Sequence, residues 1–119
     1  GSRMERLKGG SKTEKIVASV KKYVQENYKE KLTLAMIANA IGISQGYLSS
    51  VFKKQTGSNL NDYVNQVKIE KARELLGLHE YMMYEISDML GFENPYYFSK
   101  VFKKIMGMTP SEYEMTRKN

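Results

Sequence analysis

Two eleven-residue runs carry the side chains of this chain best suited to chemistry, and they are nearly the same run. Tyr47-Leu48-Ser49-Ser50-Val51-Phe52-Lys53-Lys54-Gln55-Thr56-Gly57 and Tyr97-Phe98-Ser99-Lys100-Val101-Phe102-Lys103-Lys104-Ile105-Met106-Gly107 lie fifty residues apart and agree at seven of eleven positions. Each holds at least one serine hydroxyl followed by a lysine pair. Such donors grip phosphate and probe polar edges; they lack the paired acid and base that bond-breaking needs. Upstream the match continues at a spacing of forty-nine, Ile37 with Ile86, Ile41 with Leu90 and Gly42 with Gly91, so the second copy has one extra residue in its turn. Tyr63 and Tyr113 are again fifty apart. A repeat of this kind is one supersecondary unit built twice.

The elements that position these runs follow from periodicity. Apolar residues recur at helical spacing nearly throughout, prolines number only two, and no period-two alternation argues for a strand, so the fold class is all-α with seven helices. Ser11 and Glu14 form a capping box for a first helix over Thr13 to Tyr28, with Ile16, Val17, Val20, Tyr23, Val24 and Tyr28 on one stripe. Thr33 caps a short second helix ending at Ile41, Gly42 makes the turn, and Ser44 caps a third whose inward set is Leu48, Val51 and Phe52. This is a helix-turn-helix. The fourth helix, Asn61 to Leu76, is apolar around more than half of its circumference and reads as a rigid strut with one flank on each helix-turn-helix. The second copy starts near Tyr84; Asn94-Pro95 opens its second helix, and Thr109-Pro110-Ser111-Glu112 opens a last short one. The expected division is a cloning remnant and disordered lead-in (1–10), a first helix-turn-helix subdomain (11–59), a long central linker helix (60–77) and a second subdomain (78–119).

Composition narrows the function classes. Lysine and arginine outnumber aspartate and glutamate by 19 to 13, a net charge of +6 that favours phosphate-rich or anionic-membrane partners. No cysteine is present, which excludes disulfides and thiolate metal sites and fits the cytoplasm. No apolar run approaches the ~18 residues of a membrane span. His79, the single histidine, has no companion for a metal and reads as a solvated loop residue. A glycine-rich phosphate loop, a Ser/His/Asp or Cys/His set and metal-ligand spacing are all missing, so the expectation is a non-enzyme without cofactors.

The run Gly91-Phe92-Glu93-Asn94-Pro95-Tyr96-Tyr97-Phe98-Ser99-Lys100-Val101-Phe102-Lys103-Lys104, then Gly107-Met108-Thr109-Pro110 and Tyr113, resembles the signature of the arabinose-regulator (AraC/XylS) class of bacterial transcription factors. Ile43-Ser44, Tyr47-Leu48, Val51-Phe52-Lys53-Lys54, Gly57 and the strut run Ile69-Glu70-Lys71-Ala72-Arg73-Glu74-Leu75-Leu76 extend the likeness over Ile16 to Tyr113. The resemblance implies two helix-turn-helix units joined by a long helix, each placing its second helix in a DNA major groove. Three positions depart from the family pattern: Lys68 and Glu114 where arginine is usual, and Ser87 for alanine, expected to bond back to its own helix.

In a groove-reading helix the outward residues of the N-terminal half reach base edges and flanking cations meet phosphates. That assigns base reading to Gln45, Gly46, Ser49 and Ser50 in the first copy and Pro95, Tyr96, Ser99 and Lys100 in the second. Phosphate contact falls to Ser44, Lys53, Lys54, Asn94, Lys103 and Lys104. The small first set implies reading by close shape fit and thymine-methyl contact. Lysines near helix C-termini also suit the helix dipole without any ligand, but the shared register favours phosphate. Tyr47 and Tyr97 read as packing residues with a hydroxyl at the rim, and Met82, Met83, Met89, Met106 and Met108 as core filler rather than a partner groove. Two function classes remain: a double-stranded DNA binder regulating transcription at a promoter or operator, and a helical adaptor for an acidic protein. Salt dependence separates them. The family likeness further implies RNA polymerase as a partner, no membrane, and an N-terminal sensing or receiver domain absent from this chain. The wording of the strut and of the second copy is most similar to output domains of two-component response regulators in Gram-positive bacteria.

Overall fold

The computed structural model describes residues 11–117, so the expectation for residues 1–10 lies outside the described residues. Those residues form seven helices and no strand: α1 (Lys12–Asn27), α2 (Leu34–Ile41), α3 (Gln45–Thr56), α4 (Leu60–Leu78), α5 (Met83–Met89), α6 (Pro95–Met106) and α7 (Pro110–Thr116). The starts follow local chemistry. Ser11 Oγ accepts from Glu14 N while Glu14 accepts from Ser11 N, both at 3.2 Å. Thr33, Ser44, Asn94 and Thr109 each accept a backbone N–H of the helix they open. The Thr109 backbone and hydroxyl, both donating to or facing Glu112, hold that carboxyl below the usual carboxylate range.

The chain divides into two compact units, one holding residues 11–27 with Leu32–Tyr63, the other Tyr28–Lys31 with residues 64–117. In the first, α1 packs on α2 and α3, and α2 on α3. Val20, Val24, Ile37, Leu48 and Phe52 are fully buried there, and the Tyr63 ring lies 5.5 Å from Phe52. Gly42 takes a left-handed φ of 86°, and its N–H closes on Ala38 O at 2.8 Å, ending α2 and turning the chain into α3.

The second unit repeats the motif with α5 and α6 around a core of Ile69, Ala72, Leu76, Ile86, Leu90 and Phe98, extended by Phe102 and Tyr113. Phe102 and Tyr113 meet edge to face at 5.6 Å, the counterpart of the Phe52–Tyr63 pair. Met83, Met106 and Met108 pack against this core as filler, whereas Met82 is exposed.

Several expectations are corrected. α1 stops at Asn27, and Tyr28 leaves the α1 stripe to pack on the second unit's core, its ring under Lys71 Nζ at 5.2 Å. α4 starts one residue before Asn61, where Asn59 Oδ1 accepts from Asp62 N at 2.8 Å, and continues two residues past Leu76. Its first turn belongs to the first unit and the remainder to the second, where Ile69, Ala72 and Leu76 are core. Buried Val67 and Ile69 lie about 200° apart around α4 at 100° per residue.

Ser87 does not bond back to its helix: it is 1% exposed and its hydroxyl has no partner among the described residues. His79 is exposed in the turn after α4, as expected of a solvated loop residue, but it is not without contacts. Its backbone is left-handed at φ 56°, its Nε2 lies 3.2 Å from Arg117 O, and its Nδ1 lies 3.6 Å from Glu114 Oε2, linking the end of α4 to α7. Among the described residues no cluster of three metal-ligating side chains occurs, and no helix is long and apolar enough to cross a membrane.

Candidate nucleic-acid interface

The interface residues follow from which face of each second helix is left outside. In α3, burial of Leu48, Val51 and Phe52 turns Gly46, Ser49, Ser50 and Lys53 outward at i, i+3, i+4 and i+7, one stripe of a helix. In α6, burial of Phe98, Val101 and Phe102 turns Tyr96, Ser99, Lys100 and Lys103 outward at the same register. Gln45 and Lys54 flank the first stripe and Pro95 and Lys104 the second, all exposed. Every side chain assigned to base reading is exposed except Ser99, which is half-buried. Tyr96 projects farthest, at 77% exposure.

The cations are available to a ligand. Among the described residues none of Lys53, Lys54, Lys100, Lys103 and Lys104 pairs with a carboxylate. Lys53 Nζ donates to Gly57 O at 3.2 Å, capping the α3 C-terminus as the dipole favours; among the described residues the other four carry no such bond. Ser44 Oγ and Asn94 Oδ1 are occupied as caps, accepting from Tyr47 N at 3.2 Å and Tyr97 N at 2.7 Å. What remains to meet a phosphate is the Ser44 hydroxyl proton and the Asn94 amide N–H groups. Tyr47 and Tyr97 are exposed to almost the same degree, 41% and 40%, and the Tyr97 ring packs on Phe92 at 6.1 Å.

The chain matches the family described as a helix-turn-helix domain over residues 37–116. It belongs to that family, in its AraC-type branch of DNA-binding domains. An uncharacterized HTH-type transcriptional regulator of Bacillus subtilis (strain 168), YisR, is 36% identical over 103 residues, 87% of this chain and 36% of that protein. The C-terminal domain of AraT, a response regulator from Geobacillus stearothermophilus, superimposes with a TM-score of 0.85 at 34% identity, covering 92% of this chain and 91% of that one. The DNA-binding domain of the global transcriptional factor AdpA, solved in complex with a target DNA, shares the fold with a TM-score of 0.78 at 22% identity, over 84% of this chain and 90% of that one. The chain spans a little over a third of the length of the curated relatives it matches. This AraC-type domain is therefore a DNA-binding domain of transcriptional regulators and not an enzyme.

Sequence reasoning missed the residue that sets the frame of the AraC-type domain's second unit. Lys68 is 4% exposed, and its ammonium donates to Tyr28 O and Glu30 O, each at 2.6 Å, and to Leu90 O. Tyr28 and Leu90 stand at the C-terminal ends of α1 and α5, where carbonyls lack intrahelical donors, so one cation serves two helix ends. Burial pushes the Lys68 pKa down to about 8, partly offset by the Glu30 carboxylate. The lysine that stands where family arginine is usual thus meets three single acceptors rather than a bidentate partner. A signal was present: Lys68 lies four residues from both Val64 and Ala72, in the middle of the apolar arc of α4.

Gly91 completes this junction. Its φ is +75°, and a Cβ there would lie 2.7 Å from the Glu30 carbonyl carbon and oxygen and from Lys29 O, so the turn before α6 packs directly on the 28–31 backbone. Lys31 Nζ and Glu93 Oε1 close the same edge at 2.6 Å, and this bond and charge hold the Glu93 carboxyl below its ordinary range.

Proposed function

We propose that this domain binds one operator duplex through two successive major grooves, with α3 entering the first and α6 the second. Base reading falls to Gln45, Gly46, Ser49 and Ser50 in one half-site and to Pro95, Tyr96, Ser99 and Lys100 in the other. Ser44, Lys53, Lys54, Asn94, Lys103 and Lys104 bind the phosphates on either side. The observation that carries this reading is the outward stripe repeated at the same register on both helices, with no carboxylate in ion-pair contact with its lysines among the described residues. Phosphate contacts of this kind supply affinity and register, and the side chains between them supply sequence preference.

The domain acts in the bacterial cytoplasm as the output part of a longer AraC-type regulator, joined to a receiver or sensing domain and in contact with RNA polymerase. Its likeness to the C-terminal domain of a response regulator supports that reading. The testing experiment selects duplexes from a random pool with this chain. Selection returns a two-part motif whose halves are centred about 10 base pairs apart, and inserting about five base pairs between them abolishes tight binding. Affinity falls log-linearly with salt with a slope of roughly −3.6 if the four phosphate-contacting lysines each neutralise one phosphate. A pool without enriched sequence, or a single motif indifferent to spacing, refutes the reading.

A further inference from the structure

Gly46 has no reason within the fold to be glycine. Gly42, Gly57, Gly91 and Gly107 all have left-handed φ values; Gly77, in the last turn of α4, shares with Gly46 open space around its Cβ, but only Gly46 lies on an outward stripe of a helix-turn-helix. Gly46 is the second residue of α3, its φ lies outside the left-handed range, and a Cβ built there meets nothing within 4 Å. Alanine would strengthen the helix at no steric cost to the protein. The equivalent residue of the second copy is Tyr96, the most exposed of the large hydrophobic side chains among the described residues. Ser49 and Ser50, which continue the stripe from Gly46, are exposed, and their hydroxyls bond no protein group among the described residues. The first two turns of α3 therefore present a flat face ending at a bare α-carbon, where α6 presents a phenol.

We propose that Gly46 is a specificity-determining close-approach position, with the methyl group of a thymine in the first half-site seated against its α-carbon. This rests on α3 being a groove-reading helix. A Cβ at residue 46 would occupy the space of the methyl, so the glycine selects thymine by admitting it and sets how deeply α3 enters the groove. At the same register Tyr96 keeps α6 farther from the groove floor.

The test uses duplexes selected from a random pool by the wild-type chain, with each first-half-site thymine replaced in turn by uracil, which lacks the methyl. For wild type, uracil at one position weakens binding about threefold to fivefold, the worth of one buried methyl. Gly46→Ala has a Tm at or above wild type and binds the thymine duplex about tenfold more weakly. On the uracil duplex it recovers to within about twofold of wild type, since the clash is gone. Gly46→Ala binding the selected duplex at full strength overturns the proposal, as does an equal loss on thymine and uracil duplexes, a lowered Tm, or a first half-site without thymine. Gln45→Ala and Ser49→Ala keep the two levels apart. If they change the first-half-site preference while Gly46→Ala does not, close approach is wrong and groove reading by α3 stands; if none of the three does, groove reading by α3 is itself wrong.

Discussion

Replacing Lys68 by methionine removes three hydrogen bonds at once and leaves the carbonyls of Tyr28, Glu30 and Leu90 without their donor. Each bond from a charged donor is worth ~1.5–3 kcal/mol, but the cost of burying the ammonium, visible in its lowered pKa, offsets a large share. Removing one side of such a buried polar cluster typically costs ~3–5 kcal/mol, and methionine keeps the packing volume, so about 4 kcal/mol of destabilisation is expected. Urea denaturation at pH 7 measures it, with Lys68→Arg, which retains donors, expected within about 1 kcal/mol of wild type.

The pH dependence gives a second handle on the same residue. The folded pKa near 8 lies below the unfolded value of 10.5, so between these limits the unfolded chain holds a proton that the folded chain has released. Stability from Lys68 therefore rises with pH across that window and is flat below pH 8. Lys68→Met cannot titrate, so the gap between wild type and variant widens from pH 8 toward pH 10 while other groups cancel. A variant within about 1 kcal/mol of wild type at pH 7, or a gap that narrows above pH 8, would refute the buried-ammonium account.

Gly91→Ala is expected to cost more than about 3 kcal/mol, because left-handed strain adds to a 2.7 Å collision with backbone, whereas Gly42→Ala, with open space around it, costs about 1–2 kcal/mol; denaturation of the two variants compares them directly. Ser87→Ala should stabilise by about 1 kcal/mol, since it removes a buried hydroxyl that has no partner, and a lower urea midpoint would show that the hydroxyl does find one. Lys100→Ala is expected to weaken binding to the selected duplex by about 1–3 kcal/mol and relax preference at one base pair, while Lys53→Ala weakens all duplexes about equally and lowers the salt slope by about 1.

What the sequence disclosed was local or repeated. The caps at Ser11, Thr33, Ser44, Asn94 and Thr109 involve partners three residues away, and the two outward stripes are each other's control because one register carries both. What it hid was long-range. Lys68 finds its acceptors at separations of 40, 38 and 22 residues, and nothing near Tyr28 announces that this short segment joins the second unit rather than the first. Ser87 was misread for a related reason: bonding to one's own helix is the local option, and in this buried position it is not taken. His79 likewise looked solitary because its partners lie on α7 and just past its end, 35 and 38 residues onward.

The extra residue in the second copy's turn and the capture of Tyr28–Lys31 are two aspects of one arrangement. In the first copy the turn glycine, Gly42, stands in open space, so the start of α3 is fixed mainly by its own Ser44 cap and by Leu48 and Phe52 beneath it. In the second, Gly91 is pressed on the Glu30 backbone, Leu90 O is held by Lys68, and Glu93 is held by Lys31, so the chain entering α6 is fixed from outside the motif as well. Equal outward stripes therefore rest on unequal supports. Loosening the 28–31 segment must disturb the entry to α6 directly, because Lys68, Gly91 and Glu93 all lean on it.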